Sequence, residues 1–318
     1  MKKNQQNVFQ VLLLILPTCS FAADSGWSED RIQIDLGVDE DGKMAPEAFV
    51  PFNWGNGWSS GIGLRSRQAD SHDSIEGFAD SRVGNSESEE RIRLNLFSYE
   101  KIAGKSVWQF GLDYEQVNQE KLQFGYFQMP NPYPDNPAVA GEYVAFDNLI
   151  DVKITKPNLF ANYTMKTSTV NFRVGLSVSP VSSLSVDQET RFVPIVSSTG
   201  SRSSDTSQDL AYNMAIQLEI KTESSINVGL SYYYELLPMN YGIAALNATA
   251  DGFIDKTVDV EQESSRVAVR AIFKKPMAGN LKPVIGYITE DIDTKNFNTG
   301  KTASTSKSII LFGLESQF

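Results

Sequence analysis

The last residues of the chain alternate apolar and other side chains as far as the terminus: Ile310, Phe312, Leu314, Ser316, Phe318. A period of two belongs to a strand whose successive side chains face opposite ways. Ends of water-soluble domains ordinarily fray. A strand that runs to the end of the chain and closes on an aromatic ring therefore points to a closed transmembrane β-barrel, with every second side chain facing lipid.

The tail Gly313-Leu314-Glu315-Ser316-Gln317-Phe318 resembles the C-terminal signature of Gram-negative outer-membrane barrels: a glycine, then two spaced apolar positions, the second a terminal Phe. Gly313 and Phe318 match, and Ser316 stands where an apolar residue is usual. The resemblance implies an all-β antiparallel barrel, an outer-membrane location, and recognition by the barrel-assembly machinery through Gly313 and Phe318.

The start of the chain agrees. Lys2 and Lys3 precede an apolar run from Val11 to Leu16, then Pro17 and the small-residue site Ser20-Phe21-Ala22. That is the plan of a cleaved signal peptide, because the run is shorter than the roughly 20 residues a membrane-spanning helix needs. The expected division is a signal peptide at 1–22 and a barrel at 23–318. Cys19 is the only cysteine, so the mature chain forms no disulfide. A lipidated Cys19 after Leu16-Pro17-Thr18 is the rival, and Thr18 fits that motif poorly.

Removing residues 1–22 takes away Lys2 and Lys3 and no acid, so the formal charge goes from -11 to -13 (-11 minus 2). A surface this acidic repels phosphate backbones and argues against nucleic acid as a partner. The expected partners are outer-membrane lipid and lipopolysaccharide. Bulk hydropathy is uninformative, since alternating lipid-facing and lumen-facing residues cancel.

Period-two rows recur throughout. They include Ile32 to Val38, Trp58 to Leu64, Ile92 to Leu96, Trp108 to Tyr114, Leu159 to Met165, Val170 to Val178, Leu210 to Ile220, Ile226 to Tyr234, Val267 to Phe273, Leu281 to Tyr287 and the terminal row. Residues 46–54, ahead of the turn Gly55-Asn56-Gly57, supply a twelfth strand despite Pro51, and without the first row the count is about 10. Short connections are expected near 100–105, 166–169, 221–225 and 274–280. Long ones are expected near 68–90, 128–157, 183–206, 237–262 and 290–305, so that short turns face the periplasm and long loops the outside. A soluble sandwich or lipocalin-like barrel would place charges in its core, which argues against it.

The faces opposite the apolar rows carry Arg91, Arg93, Asp113, Glu115, Arg173, Asp209, Glu219, Glu235, Arg266 and Arg270. Charges of both signs either line a narrow aqueous path, whose selectivity they set, or pair across the interior and close it. Aromatics such as Trp58, Trp108, Tyr163, Tyr232 and Tyr287 read as interface girdles. His72-Asp73-Ser74 resembles the His-x-Ser element of outer-membrane phospholipase A, yet Ile75 and Glu76 replace the family's glycine-bearing continuation, and Asn85 lacks its context. A solvated loop is the plainer reading. The acids of 70–90 lack the spacing of calcium loops, and the run Met129 to Pro134 reads as a stiff apex. No catalytic, cofactor or metal site is assigned. The functional expectation is a small channel or passive-uptake barrel. The alternative is a non-conducting surface barrel, in the manner of a solitary autotransporter-like barrel or an adhesive or structural one, and the third is a lipolytic enzyme.

Overall fold

The computed structural model describes residues 31–73, 81–128, 143–180, 182–193, 198–207, 210–247, 252–277, 280–298 and 300–317. The segment expected to be a signal peptide, Ser74, the Met129 to Pro134 run, Asp209 and Phe318 lie outside the described residues.

Among the described residues fourteen β-strands follow one another: β1 (Arg31–Asp39), β2 (Met44–Gly55), β3 (Trp58–Asp73), β4 (Ser81–Ala103), β5 (Ser106–Gln128), β6 (Tyr143–Lys166), β7 (Val170–Ser179), β8 (Ser182–Val193), β9 (Ser198–Ser207), β10 (Ala211–Ile220), β11 (Ile226–Asn247), β12 (Gly252–Phe273), β13 (Leu281–Asn296) and β14 (Lys301–Gln317). The ladder runs β5-β4-β3-β2-β1-β14-β13-β12-β11-β10-β7-β6, and β5 also pairs with β6, so it closes on itself. β6 pairs with β7 up to Leu159↔Val178 and with β8 from Thr155↔Ser183 onward, so β7 and β8 are halves of one stave broken at Pro180. β10 and β9 divide the next stave in the same way. Fourteen strands less these two joins give a closed antiparallel barrel of twelve staves.

The twelfth strand is β2. Gly55, Asn56 and Gly57 all take positive φ (85°, 52° and 80°) in the turn that leaves it, a conformation that Gly adopts freely and Asn tolerates. The pairing of β2 with β1 runs from Met44 to Phe49. Pro51 therefore sits past that ladder, where the missing N–H interrupts nothing on the β1 side. At the closing seam Gly313 faces inward against Asp35. A Cβ built there would lie 2.1 Å from the Asp35 carboxylate and 2.8 Å from the Ile34 carbonyl oxygen, so the glycine makes room for that side chain.

Around the half of the barrel that carries the short turns, apolar side chains stand exposed on the outer face. Leu159, Leu176, Ile310 and Phe312 are each more than half exposed, and Trp58, Trp108, Phe110 and Tyr287 nearly so. Farther from the turns the pattern inverts. In β6, Val152 and Ile154 are buried inside while Asp151 and Lys153 are exposed outside; in β8, Leu184 and Val186 are buried and Asp187 is exposed. Together with Val117, Leu237, Met239 and Val260 they form an apolar cluster inside this end.

This inversion corrects the expected long connections. Much of 68–90, 143–157, 183–206, 237–262 and 290–305 is strand, not loop, and between β13 and β14 only 297–300 is left as a connection. The period of two persists there, but its apolar face changes sides, and in the sequence that reads as the end of a row. β1 and β2 take no part in the extension: they are joined by the short turn Glu40 to Lys43, and the Lys307 ammonium bridges the step above it, bonding the Gln68 carbonyl and lying 3.4 Å from Asp39.

Candidate functional site

The lumen at mid-height holds a continuous layer of ion pairs. Alternation in β4, β5, β6 and β11 aims Arg91, Glu115, Lys156 and Glu235 inward, and β3 and β13 add Arg65, Arg67 and Glu290. Glu235 accepts from Arg91 Nη1 and from Lys156 Nζ, both at 2.5 Å. Glu115 lies 3.5 Å from Arg91 and 3.2 Å from Lys156. Arg91 Nε donates to Glu89 at 2.6 Å, Arg67 donates to Glu89 at 2.5 Å and to Glu290 at 3.0 Å, and Arg65 also bonds Glu290. Four cations and four carboxylates thus form one chain.

That chain crosses the interior. β4 and β11 are separated around the wall by β5, β6, β7 and β10, and β3 and β13 by β2, β1 and β14. Contacts between them must pass through the lumen rather than along it. Lys156 has no solvent exposure, and Glu235 and Glu290 have 2% and 1%. A lone charge so buried would cost several kcal/mol, and the alternation of signs is what makes the layer tenable. The apolar cluster of Val117, Ile154, Leu184 and Leu237 lies beyond it, so an ion-pair layer and an apolar layer follow one another toward the long connections.

Toward the short turns a cavity of about 260 Å³ opens below the layer. Arg93, Arg173, Arg266 and Arg270 line it with Glu47, Asp113, Phe49, Phe160 and Tyr233. Arg93 Nε bonds Asp113 at 2.7 Å, with its guanidinium carbon 5.9 Å from the centre of the Phe160 ring. Asn95 donates to the other Asp113 oxygen at 2.9 Å. Arg266 pairs with Glu47 at 2.7 Å and Arg270 with Asp35 at 3.0 Å, while the Arg270 Nε is buried without a bonding partner. Arg173 donates to Gln109 at 3.2 Å. Lower still, Glu219 accepts from Asn171 at 2.9 Å and Asn227 at 3.1 Å.

Of the ten inward charges expected from sequence, nine are described. Arg91, Glu115 and Glu235 join the ion-pair layer; Arg93, Asp113, Arg173, Arg266 and Arg270 surround the cavity; Glu219 sits nearer the turns; Asp209 is outside the described residues. Sequence reasoning did not single out Arg65, Arg67, Glu89, Lys156 and Glu290, which carry five of the layer's eight charges. Parity was the available signal. Leu159, Ala161 and Tyr163 face out, so 156 faces in, and the same count from Tyr287 places Glu290 inside. His72 is in the backbone ladder of β3 opposite Gly84, and its side chain lies outside what is described. Among the described residues no cluster of three His, Cys, Asp or Glu side chains is arranged to hold a metal ion.

No family model matches the sequence, and no curated protein matches it. Solved structures with a similar fold are outer-membrane barrels. The toluene transporter TodX of P. putida is 10% identical, over 92% of this chain and 91% of that one, with a TM-score of 0.49. The translocator domain of the autotransporter NalP from Neisseria meningitidis is 10% identical, over 99% and 96%, with a TM-score of 0.45. The outer membrane protease OmpT from Escherichia coli is 9% identical, over 92% and 99%, with a TM-score of 0.40. Likeness at this level concerns the course of the chain alone, and the assignment of twelve staves rests on this protein's own ladder.

Proposed function

We propose that the chain is an integral outer-membrane barrel whose lumen is closed at rest, and that it acts as a non-conducting surface barrel presenting its extended outer strands. The outward apolar half matches a bilayer, the short turns then face the periplasm, and the polar-faced extension stands outside. The observation that carries the closed reading is Glu235, held at 2.5 Å by cations from two other staves, one of them the fully buried Lys156.

A second reading is favoured by the arginine-lined cavity: a gated small-solute channel, in which the ion-pair layer must part before anything passes. Reconstitution of the refolded protein into planar bilayers separates the two. The closed reading expects no unitary conductance at any moderate voltage. Steps of reproducible size from the unmodified protein would refute it and support the channel.

A further inference from the structure

The barrel's charge is segregated along its axis. The short turns at 100–105, 166–169, 221–225 and 274–280 carry Lys101, Lys105, Lys166, Lys221, Lys274 and Lys275 against Glu100 and Glu223 alone, although the whole chain has a formal charge of -11. The far end is acidic, with Asp151, Asp187, Glu261 and Glu263 on outward positions of β6, β8 and β12. Lys101, Lys105 and Lys275 are exposed.

Depth is fixed by the rings beside them. Trp58 rests on Tyr99 with centroids 5.1 Å apart, and Trp108 on Tyr163 at 4.7 Å. Lys101 follows Tyr99 by two residues and Lys105 precedes Trp108 by three, both exposed, whereas Lys166 shares the inward parity of Asn162 and Thr164. At about 3.3 Å per residue on a tilted strand, the ammonium groups fall roughly 5–10 Å beyond the rings. Aromatic girdles lie at headgroup level, so the lysines reach the phosphates.

The rim is also flush. Backbone bonds of 2.8 Å tie Lys166 to Lys105, Lys221 to Thr169 and Lys274 to Ser225, turn to turn. Lys221 Nζ donates to the Thr167 carbonyl at 3.1 Å and Lys274 Nζ to that of Thr222, so these side chains lie along the rim. Each such contact uses one of three ammonium donors. The exposed Lys101 and Lys105 share one turn and Lys275 lies in another, with four staves between the two turns either way round the wall, so no single small anion can meet all three, whereas a leaflet offers phosphates all round.

We infer that this periplasmic rim is a binding surface for anionic phospholipid headgroups of the inner leaflet. The inference rests on the outer-membrane reading. Its test is insertion of the unfolded chain into vesicles of phosphatidylcholine alone and of phosphatidylcholine with phosphatidylglycerol, at low and high salt. A basic residue at an anionic surface is worth about fivefold, so the triple variant K101Q/K105Q/K275Q should lose on the order of a hundredfold of the wild type's preference for anionic vesicles, expressed as the ratio of inserted to unfolded protein. High salt should abolish the wild-type preference, and K121Q/K153Q/K295Q, at the opposite end, should keep it. Equal insertion of the wild type into both vesicles, or equal loss in the two triple variants, overturns the inference. Failure to form a heat-modifiable barrel in either vesicle instead overturns the membrane reading beneath it.

Discussion

Replacing Glu235 by Gln is the sharpest test of the ion-pair layer, because shape is kept and one charge is removed. Glu235 neutralises Arg91 and Lys156, and afterwards the layer holds four cations against Glu89, Glu115 and Glu290. Hydrogen bonds to charged groups contribute about 1.5–3 kcal/mol each, and a Gln carbonyl can retain one of the two in weaker form. Breaking a buried pair by deleting one partner costs about 3–5 kcal/mol. Glu115 remains 3.2 Å from Lys156 and Glu89 2.6 Å from Arg91, which softens the loss. The expected destabilisation is therefore about 3 kcal/mol, read as a lower urea midpoint for the refolded barrel with unchanged slope. Lys156→Met in the same chain should restore most of it, since the surplus cation is then gone. A loss under about 1 kcal/mol for Glu235→Gln, or no recovery in the double variant, would mean that the layer is hydrated and does not hold the lumen shut.

The remaining predictions address the wall and the outer extension. Ile216→Arg, on the lipid-facing row of β10, should cost about 2–4 kcal/mol near the bilayer midplane, while Gln217→Glu, directly opposite Arg173 in the ladder, should cost much less; equal losses would reverse the assignment of inside and outside. Gly313→Ala forces a Cβ onto the Asp35 carboxylate and should cost about 1–3 kcal/mol by overpacking, seen as a lower unfolding midpoint, and an unchanged midpoint would place Asp35 elsewhere. In the extension, beyond the apolar belt, the exposed Asp151 stands between Glu120 and Asp187 in the cross-strand register; burial first, then those two carboxylates, raise its carboxyl above the ordinary value. A raised carboxyl destabilises the fold only once pH exceeds its unfolded value, so Asp151→Asn should stabilise slightly at pH 7 and not at pH 3, and an equal effect at both would remove the charge explanation. The native barrel should fractionate with outer membrane and migrate faster unheated than boiled, and recovery in a soluble periplasmic extract would count against the membrane reading.

How far the sequence could be read depended on which solvent each strand segment faces. Within the apolar belt most staves follow one rule, apolar outward and polar inward, the exception being β12, β13 and β14, which also bury Ile272, Val284, Ile288, Ile309 and Leu311 inside; the rows at 159–165, 170–178 and 226–234 were therefore legible, as were the inward Arg91, Asp113 and Glu235. Beyond the belt, water is outside and the opposed walls are close enough to bury Val152, Ile154 and Leu184 between them, so the same period of two appears with its faces exchanged. Lys156 stands at that crossing. It is the last inward polar residue of β6 before Ile154 and Val152, followed by Pro157, and locally it has the look of a loop. Only the count of parity carried up from Tyr163 puts it inside, and only the closure of the ladder puts Glu235 of β11 within its reach. The pairing across the lumen was not legible at all, because no local pattern records which staves face each other; that depends on stave number and stagger together. A lumen of this width thus brings opposed side chains into contact, and the contact between Arg91 and Glu235 is the one on which the proposed closure rests.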